Sequence, residues 1–159
     1  MSVSARIRVL IADDHAMIRT GLARLVSAEP DLEVVGTAAD GIAAVELAAS
    51  QQPDVVLLDL SMPGMDGVTA AAEIRLRSPG TRILVLSSHM QESVVTAAFS
   101  AGVRGYLLKN VSSFEVLDGI RLTHAGGTAM SERIRRTMAP HLDGESATTL
   151  ADRRKREPR

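Results

Sequence analysis

Asp13, Asp14, Asp59 and Lys109 have chemistry to offer, and each aspartate run and the lysine stands where an apolar run stops. Val9–Ala12 precedes the aspartate pair, Val55–Leu58 precedes Asp59, Ile83–Leu86 precedes Ser87-Ser88, and Gly105–Leu108 precedes Lys109. Short continuous apolar runs bounded by turn residues fit strands buried on both faces. In an open parallel sheet, ligands and chemistry collect beyond the carboxyl ends of the strands. Three carboxylates meeting there repel, since two like charges ~4 Å apart cost roughly 4 kcal/mol at an effective dielectric of about 20. A divalent cation relieves them, and hard oxygen ligands without Cys or His select Mg²⁺. Lys109 supplies a further positive charge and Ser87 a hydroxyl donor. Carboxylate, metal, lysine and hydroxyl together describe a site for a phosphoryl group, with Asp59 as the in-line nucleophile.

Each residue also has a plainer role. Asp13-Asp14 suits a helix N-cap, as does Ser87, with Ser88 able to do that job instead. Lys109 alone reads as a solvated loop lysine, and Tyr106 as ordinary strand packing. The convergence of the strand ends carries the sharper reading. His15, His89, His124 and His141 lack metal-ligand spacing, so none is read as a ligand.

The elements that must position these groups follow from hydrophobic periodicity. Strands are expected over Arg6–Ala12, Leu32–Ala38, Val55–Asp59, Arg82–Leu86 and Gly105–Leu108. Helices are expected between them. Ile18, Leu22, Leu25 and Val26 mark the first and Ile42, Val45 and Ala49 the second, over Gly41–Gln51. The Ala-rich stretch Gly67–Arg77 is the third, and Gln91–Ala101 the fourth, stopped by Gly102. Ser112-x-x-Glu115 is a capping box that opens a fifth helix carrying Phe114, Leu117 and Ile120. Strands alternating with helices give an α/β fold, a parallel sheet with helices on both faces. The flavodoxin-like (βα)5 order 2-1-3-4-5 sets Asp13-Asp14 beside Asp59. Pro63, Gly64 and Gly67 fix a tight loop after Asp59.

Composition bounds the reading. The chain has 159 residues, 45% hydrophobic and 23% charged, which fits one domain and a tail. A net charge of −1 predicts no general affinity for nucleic acid or membrane. There is no Cys, so disulfides and thiolate metal sites are excluded. No apolar run approaches the ~20 residues of a membrane span, and the expected location is cytoplasmic. With only Phe99, Phe114 and Tyr106 as aromatics, the core must be aliphatic.

Four stretches in order carry a resemblance: V-L-I-A-D-D-H (Val9–His15), D-V-V-L-L-D-L-S-M-P-G-M-D-G (Asp54–Gly67), I-L-V-L-S-S (Ile83–Ser88) and G-Y-L-L-K (Gly105–Lys109). Over about Ile7 to Gly127 the chain resembles the receiver domain of two-component response regulators. A-D-D-H and Ala125–Gly127 are similar to the NarL/FixJ subfamily, whose members usually carry a LuxR-type helix-turn-helix downstream. The resemblance implies that Asp59 accepts a phosphoryl group from a sensor histidine kinase. It implies direct Mg²⁺ binding by Asp14, Asp59 and the Ser61 carbonyl, with Asp13 acting through water. It implies that Lys109 contacts the phosphoryl oxygens, that Ser87 swings toward the phosphate and that Tyr106 follows inward. Ser61 and His89 fall where the family tunes the lifetime of the acyl phosphate. Asn110 follows Lys109 where many receivers have Pro, so no cis peptide is assumed there.

Other function classes fit less well. A dinucleotide site wants a glycine-rich loop after the first strand, and here that loop is A-D-D-H-A-M. An aspartyl-phosphate phosphatase would want an acid/base Asp two residues past the nucleophile, where Ser61 stands. A stand-alone receiver working by protein contact is the other alternative. The expected organisation is a receiver over 1–127, then a linker helix near Ser131–Ala139 and a basic tail over 128–159, with the output domain truncated or lost. The expected partners are the kinase, a second copy of the chain, and DNA only through an output domain beyond this sequence.

Overall fold

The computed structural model describes residues 5–139. The elements are β1 (Ile7–Ala12), α1 (Ala16–Ser27), β2 (Leu32–Ala38), α2 (Gly41–Gln51), β3 (Val55–Leu58), α3 (Gly67–Arg77), β4 (Arg82–Ser87), α4 (Glu92–Ser100), β5 (Gly105–Leu108) and α5 (Ser113–His124). A further helix, α6, covers 132–139. The strands form one parallel sheet in the order β2-β1-β3-β4-β5, as the periodicity predicts. The central strand β3 is buried at every position, which is why it reads as an unbroken apolar run.

The sheet divides the core into two layers. One holds Leu10, Val56, Leu58, Ile83 and Val85 against α2, α3 and α4. The other holds Val9, Ile11, Val55, Leu57 and Leu84 against α1 and α5. Alternate residues of each strand serve opposite layers, the period-2 consequence of the pleat. Ala44, Ala48, Ala70 and Ala71 are fully buried on α2 and α3. Their small side chains let both helices lie close on the sheet without large aromatics. Each buried Val, Leu or Ile side chain contributes roughly 1.5–3 kcal/mol.

Side-chain caps set several helix starts. Asp40 accepts from the Ala43 N–H, Asp66 from the Thr69 N–H and Ser112 from the Glu115 N–H. The last supplies the Ser112 half of the expected capping box.

Two residues assigned by spacing to buried stripes face outward: Ile42 is 55% exposed and Phe114 is 72% exposed. Both lie off the stripe that their helices bury, which is Gly41, Ala44, Val45 and Ala48 on α2 and Val116, Leu117, Ile120 and Thr123 on α5. The chain after α5 returns along the outer edge of β5. The Tyr106 N–H donates to the Ala129 carbonyl at 2.8 Å, and the Ser131 N–H to the Tyr106 carbonyl at 3.1 Å. Met130 thus forms a parallel bridge with Tyr106. Ile134 and Met138 on α6 then join the layer of Val95, Ala98 and Tyr106. The helix expected over Ser131–Ala139 is present as 132–139, while the basic tail lies outside the described residues.

Candidate functional site

Strand register brings the chemical groups together. Ala12 pairs with Leu58 across β1 and β3, so Asp13 and Asp59 emerge side by side. Ser87 pairs with Leu108 across β4 and β5, so Lys109 emerges next along the same edge. The backbones of these residues stay tied to the sheet beyond the regular strands. The Asp13 N–H donates to Ala38 at 3.0 Å, the Asp59 N–H to Ala12 at 2.9 Å and the Lys109 N–H to Ser87 at 3.0 Å. The side chains are therefore mounted on rigid backbone.

Lys109 Nζ lies 2.9 Å from Asp13 Oδ2 and 3.2 Å from Asp59 Oδ2. Both carboxylates are buried. Asp13 Oδ1 accepts the His15 N–H at 2.8 Å, which turns the chain into α1. Asp13 is not the residue at the N-cap position of that helix; His15 is, and it makes no side-chain cap bond. Asp59 Oδ1 accepts the Ser61 N–H at 3.1 Å. Its Oδ2 is buried and accepts no directed hydrogen bond, so the lysine contact is an ion pair only.

The electrostatics follow from burial. Burial pushes the Asp59 carboxyl above its usual range, and Asp13 adds to this; the Ser61 N–H and Lys109 oppose it without cancelling it. Burial alone would lower the Lys109 ammonium, but Asp13 and Asp59 outweigh it and hold the pKa up. One amine thus serves two carboxylates, and negative charge is left over.

That surplus fits a hard divalent cation. Asp13, Asp14, His15 and Asp59 each offer a ligand atom, and these atoms lie within 4.8 Å of one another. The bare, buried Asp59 Oδ2 is a second sign that the residues suit such an ion. His15 was set aside on spacing, yet its Nδ1 lies 3.1 Å from Asp14 Oδ1 and 3.3 Å from Asp13 Oδ1. Its signal in the sequence was adjacency to the aspartate pair.

Residues 9–121 match the response regulator receiver domain family. The chain belongs to that family. It is 40% identical over 151 residues to the nitrate/nitrite response regulator protein NarL of Escherichia coli K12, covering 95% of this chain and 70% of that one. It is 39% identical over 153 residues to the transcriptional regulatory protein LiaR of Bacillus subtilis, covering 95% and 72%. Among solved structures it is similar to a LuxR-family two-component response regulator from Aurantimonas sp. SI85-9A1. There the TM-score is 0.81 at 34% identity, over 87% of this chain and 99% of that one. It is also similar to the isolated receiver domain of RcsB from Salmonella enterica serovar Typhimurium, with a TM-score of 0.76 at 25% identity over 83% and 98%. This is a receiver of the NarL/LuxR type.

The remaining expected site residues of the receiver lie on the same edge. Ser87 is fully buried, and its Oγ accepts the His89 N–H at 3.1 Å. It closes the turn after β4 and does not cap α4, whose N-cap is Gln91 without a side-chain bond. Ser61 Oγ and His89 Nε2 are hydrogen-bonded to each other across the loops that follow β3 and β4. Tyr106 is fully buried, and its hydroxyl donates to the His89 carbonyl at 2.8 Å. Burial raises the Tyr106 pKa, with the negative Asp59 adding and a hydrogen bond with Ser87 opposing. There is no cis peptide among the described residues. Among those residues, no helix is long and apolar enough to cross a membrane.

Proposed function

We propose that this receiver takes a phosphoryl group onto Asp59 from a phosphohistidine of a sensor kinase and relays the change to an output module. The observation that carries this is Asp59 Oδ2, buried and bare of directed hydrogen bonds beside an ammonium. A carboxylate oxygen attacks phosphorus, an O–P bond forms and the N–P bond breaks. The imidazole leaves with the electron pair, and Asp59 becomes an acyl phosphate. Lys109, already between Asp13 and Asp59, neutralises the incoming phosphoryl oxygens.

Asp14, Asp59 and the Ser61 carbonyl would hold Mg²⁺ directly, with Asp13 through water. The ion supplies charge neutralisation for the phosphoryl group. Ser61 and His89 stand at the mouth and set how water reaches the acyl phosphate. Beyond this self-modification and its hydrolysis, no enzymatic activity is proposed.

The outward path runs through the residues bonded around His89. The Ser87 hydroxyl holds the His89 N–H, and the His89 carbonyl holds the Tyr106 hydroxyl. The Tyr106 backbone in turn holds 129 and 131. If Ser87 turns to the phosphate, the His89 N–H is released and the Tyr106 anchor shifts. The chain leading into α6 is bonded to that tyrosine, so residues 128–139 serve as the first part of a linker. Transcriptional output through a LuxR-type DNA-binding domain is the reading that the names of NarL-type relatives support. The RcsB receiver was solved with phosphomimetic BeF3⁻, and the similarity to it supports phosphorylation here.

The test is intact mass before and after incubation with a small acyl-phosphate donor and Mg²⁺, with Asp59→Asn as control. One phosphoryl adduct on the native chain and none on the variant is expected. An adduct that survives in the variant would place the nucleophile elsewhere.

A further inference from the structure

We infer that the opposite, amino-terminal edge of the sheet holds a binding site for a small phosphate-bearing anion of nucleotide size. A cavity of about 420 Å³ opens there, within the range of ligand pockets. Arg75 from α3, Arg82 at the start of β4 and Arg104 just before β5 line it, and no acidic residue does. The protein as a whole carries a net charge of −1, so this is a local concentration of positive charge. Among the described residues, Arg75 and Arg104 form no ion pair, and Arg82 donates only to the His124 carbonyl.

The cavity is shaped by backbone, although Arg75 and Arg104 are exposed and only Arg82 is half-buried. Gly102 has φ +100, and a side chain there would collide with the Arg75 guanidinium. The glycine therefore leaves a slot in which Arg75 lies against the backbone. Pro79 and Phe99 supply an apolar wall beside the arginines. Guanidinium groups match phosphate oxygens in pairs, and a flat apolar wall suits a base. The carboxyl ends of α3 and α4 face the same edge and oppose an anion. Each amounts to roughly half a negative charge, against full charges on the arginines. Arg75 also complements the end of α3. Arg82 serves the end of α5 in the same way through its bond to the His124 carbonyl, which leaves Arg104 without such a role.

The experiment titrates the ¹⁵N-labelled chain with inorganic pyrophosphate and, separately, with ATP, in EDTA without Mg²⁺. Saturable shifts are expected at Thr81, Arg82 and Gly102–Arg104, with none at Asp13, Asp59 or Lys109. The double variant Arg75→Gln/Arg104→Gln should bind tenfold or more weakly and melt like the native protein. Tighter binding of ATP than of pyrophosphate would show that the Phe99 wall reads a base, and equal binding that phosphate alone is read. Shifts that do not saturate, shifts reproduced by chloride at equal ionic strength, or unchanged affinity in the double variant would overturn the inference. Phosphorylation of Asp59 is a separate readout, since the acidic cluster lies at the other end of the strands.

Discussion

Lys109 Nζ is 3.2 Å from Asp59 Oδ2, yet that oxygen accepts no directed hydrogen bond. The amine lies closer to Asp13, at 2.9 Å, so Asp59 is paired only in part. A buried, half-compensated carboxylate is costly for the fold and reactive toward an electrophile. The first two expectations below follow from this pair.

Asp59→Asn removes a carboxyl whose folded pKa is raised. Such a group favours folding fully below its ordinary value of 3.8, and that contribution is lost as pH rises through the raised value. Without Mg²⁺ at pH 7, the Asn variant should therefore melt higher than the native protein. The advantage should vanish in acid. Adding Mg²⁺ should raise the native melting temperature and hardly move the variant's. Equal Mg²⁺ responses would remove Asp59 from the cation site. Thermal melts over pH and Mg²⁺ concentration make the measurement.

Lys109→Ala leaves Asp13 and Asp59 buried without their cation. Breaking a fully buried pair costs about 3–5 kcal/mol. Lys109 keeps 17% of its side chain exposed, so a loss of about 2 kcal/mol is expected at pH 7. The native lysine's contribution is present below its ordinary pKa and is lost as pH rises through the raised one. The deficit of the variant should shrink in acid, as the raised Asp59 carboxyl protonates, and in Mg²⁺. Denaturant unfolding at pH 5 and pH 7 checks both signs.

Gly67→Ala tests the loop that aims Asp59. A Cβ at Gly67 would lie 2.8 Å from the Asp59 carbonyl and would also meet the Leu60 backbone. These are backbone atoms and cannot swing aside. A loss of about 1–3 kcal/mol is expected. Phosphorylation by an acyl-phosphate donor should slow by more than the loss of folded protein explains. A normal rate per folded molecule would show that the loop tolerates the shift.

Ser131→Ala tests the attachment of residues 128–139 to β5. Ser131 Oγ accepts the buried Leu108 N–H at 2.9 Å. Its removal leaves a donor unpaired on an outer strand, at a cost of about 1–3 kcal/mol. Amide exchange at Leu108 and over 132–139 should accelerate, while exchange in β1 and β3 should not. Unchanged protection of α6 would mean that Ile134 and Met138 alone hold it.

Much of this fold was legible because its signals are local. Val55–Leu58 is apolar at every position because β3 is covered on both faces. Asp59 marks the point where that cover ends. Alternation of strand and helix then left few sheet orders, and the observed order is among them. Asp66 caps α3 from the end of a Pro/Gly loop, whose turn signal masks the helix start in the sequence. Ile42 and Phe114 face outward because each is a large apolar residue beside the buried stripe, and on α2 that stripe is built from Gly41, Ala44, Val45 and Ala48, residues too small to stand out in the sequence. The tail after Gly127 was faint because α6 buries only Ile134 and Met138 deeply among its aliphatic residues.

The residue sequence by itself determined which groups end up on the carboxyl edge, since each follows directly from a strand whose apolar pattern is self-contained. It determined the alternation of elements for the same reason and narrowed the sheet order to a few. Only the tertiary structure decided how the charges balance. Whether Lys109 lies nearer Asp13 or Asp59, whether Asp59 keeps a bare oxygen, and that His15 joins the aspartates depend on strand register and loop path. The joining of residues 129–131 to Tyr106 was likewise settled by the fold. Coulomb energies and hydrogen bonds change over fractions of an ångström, whereas hydrophobic periodicity fixes positions only to the nearest face.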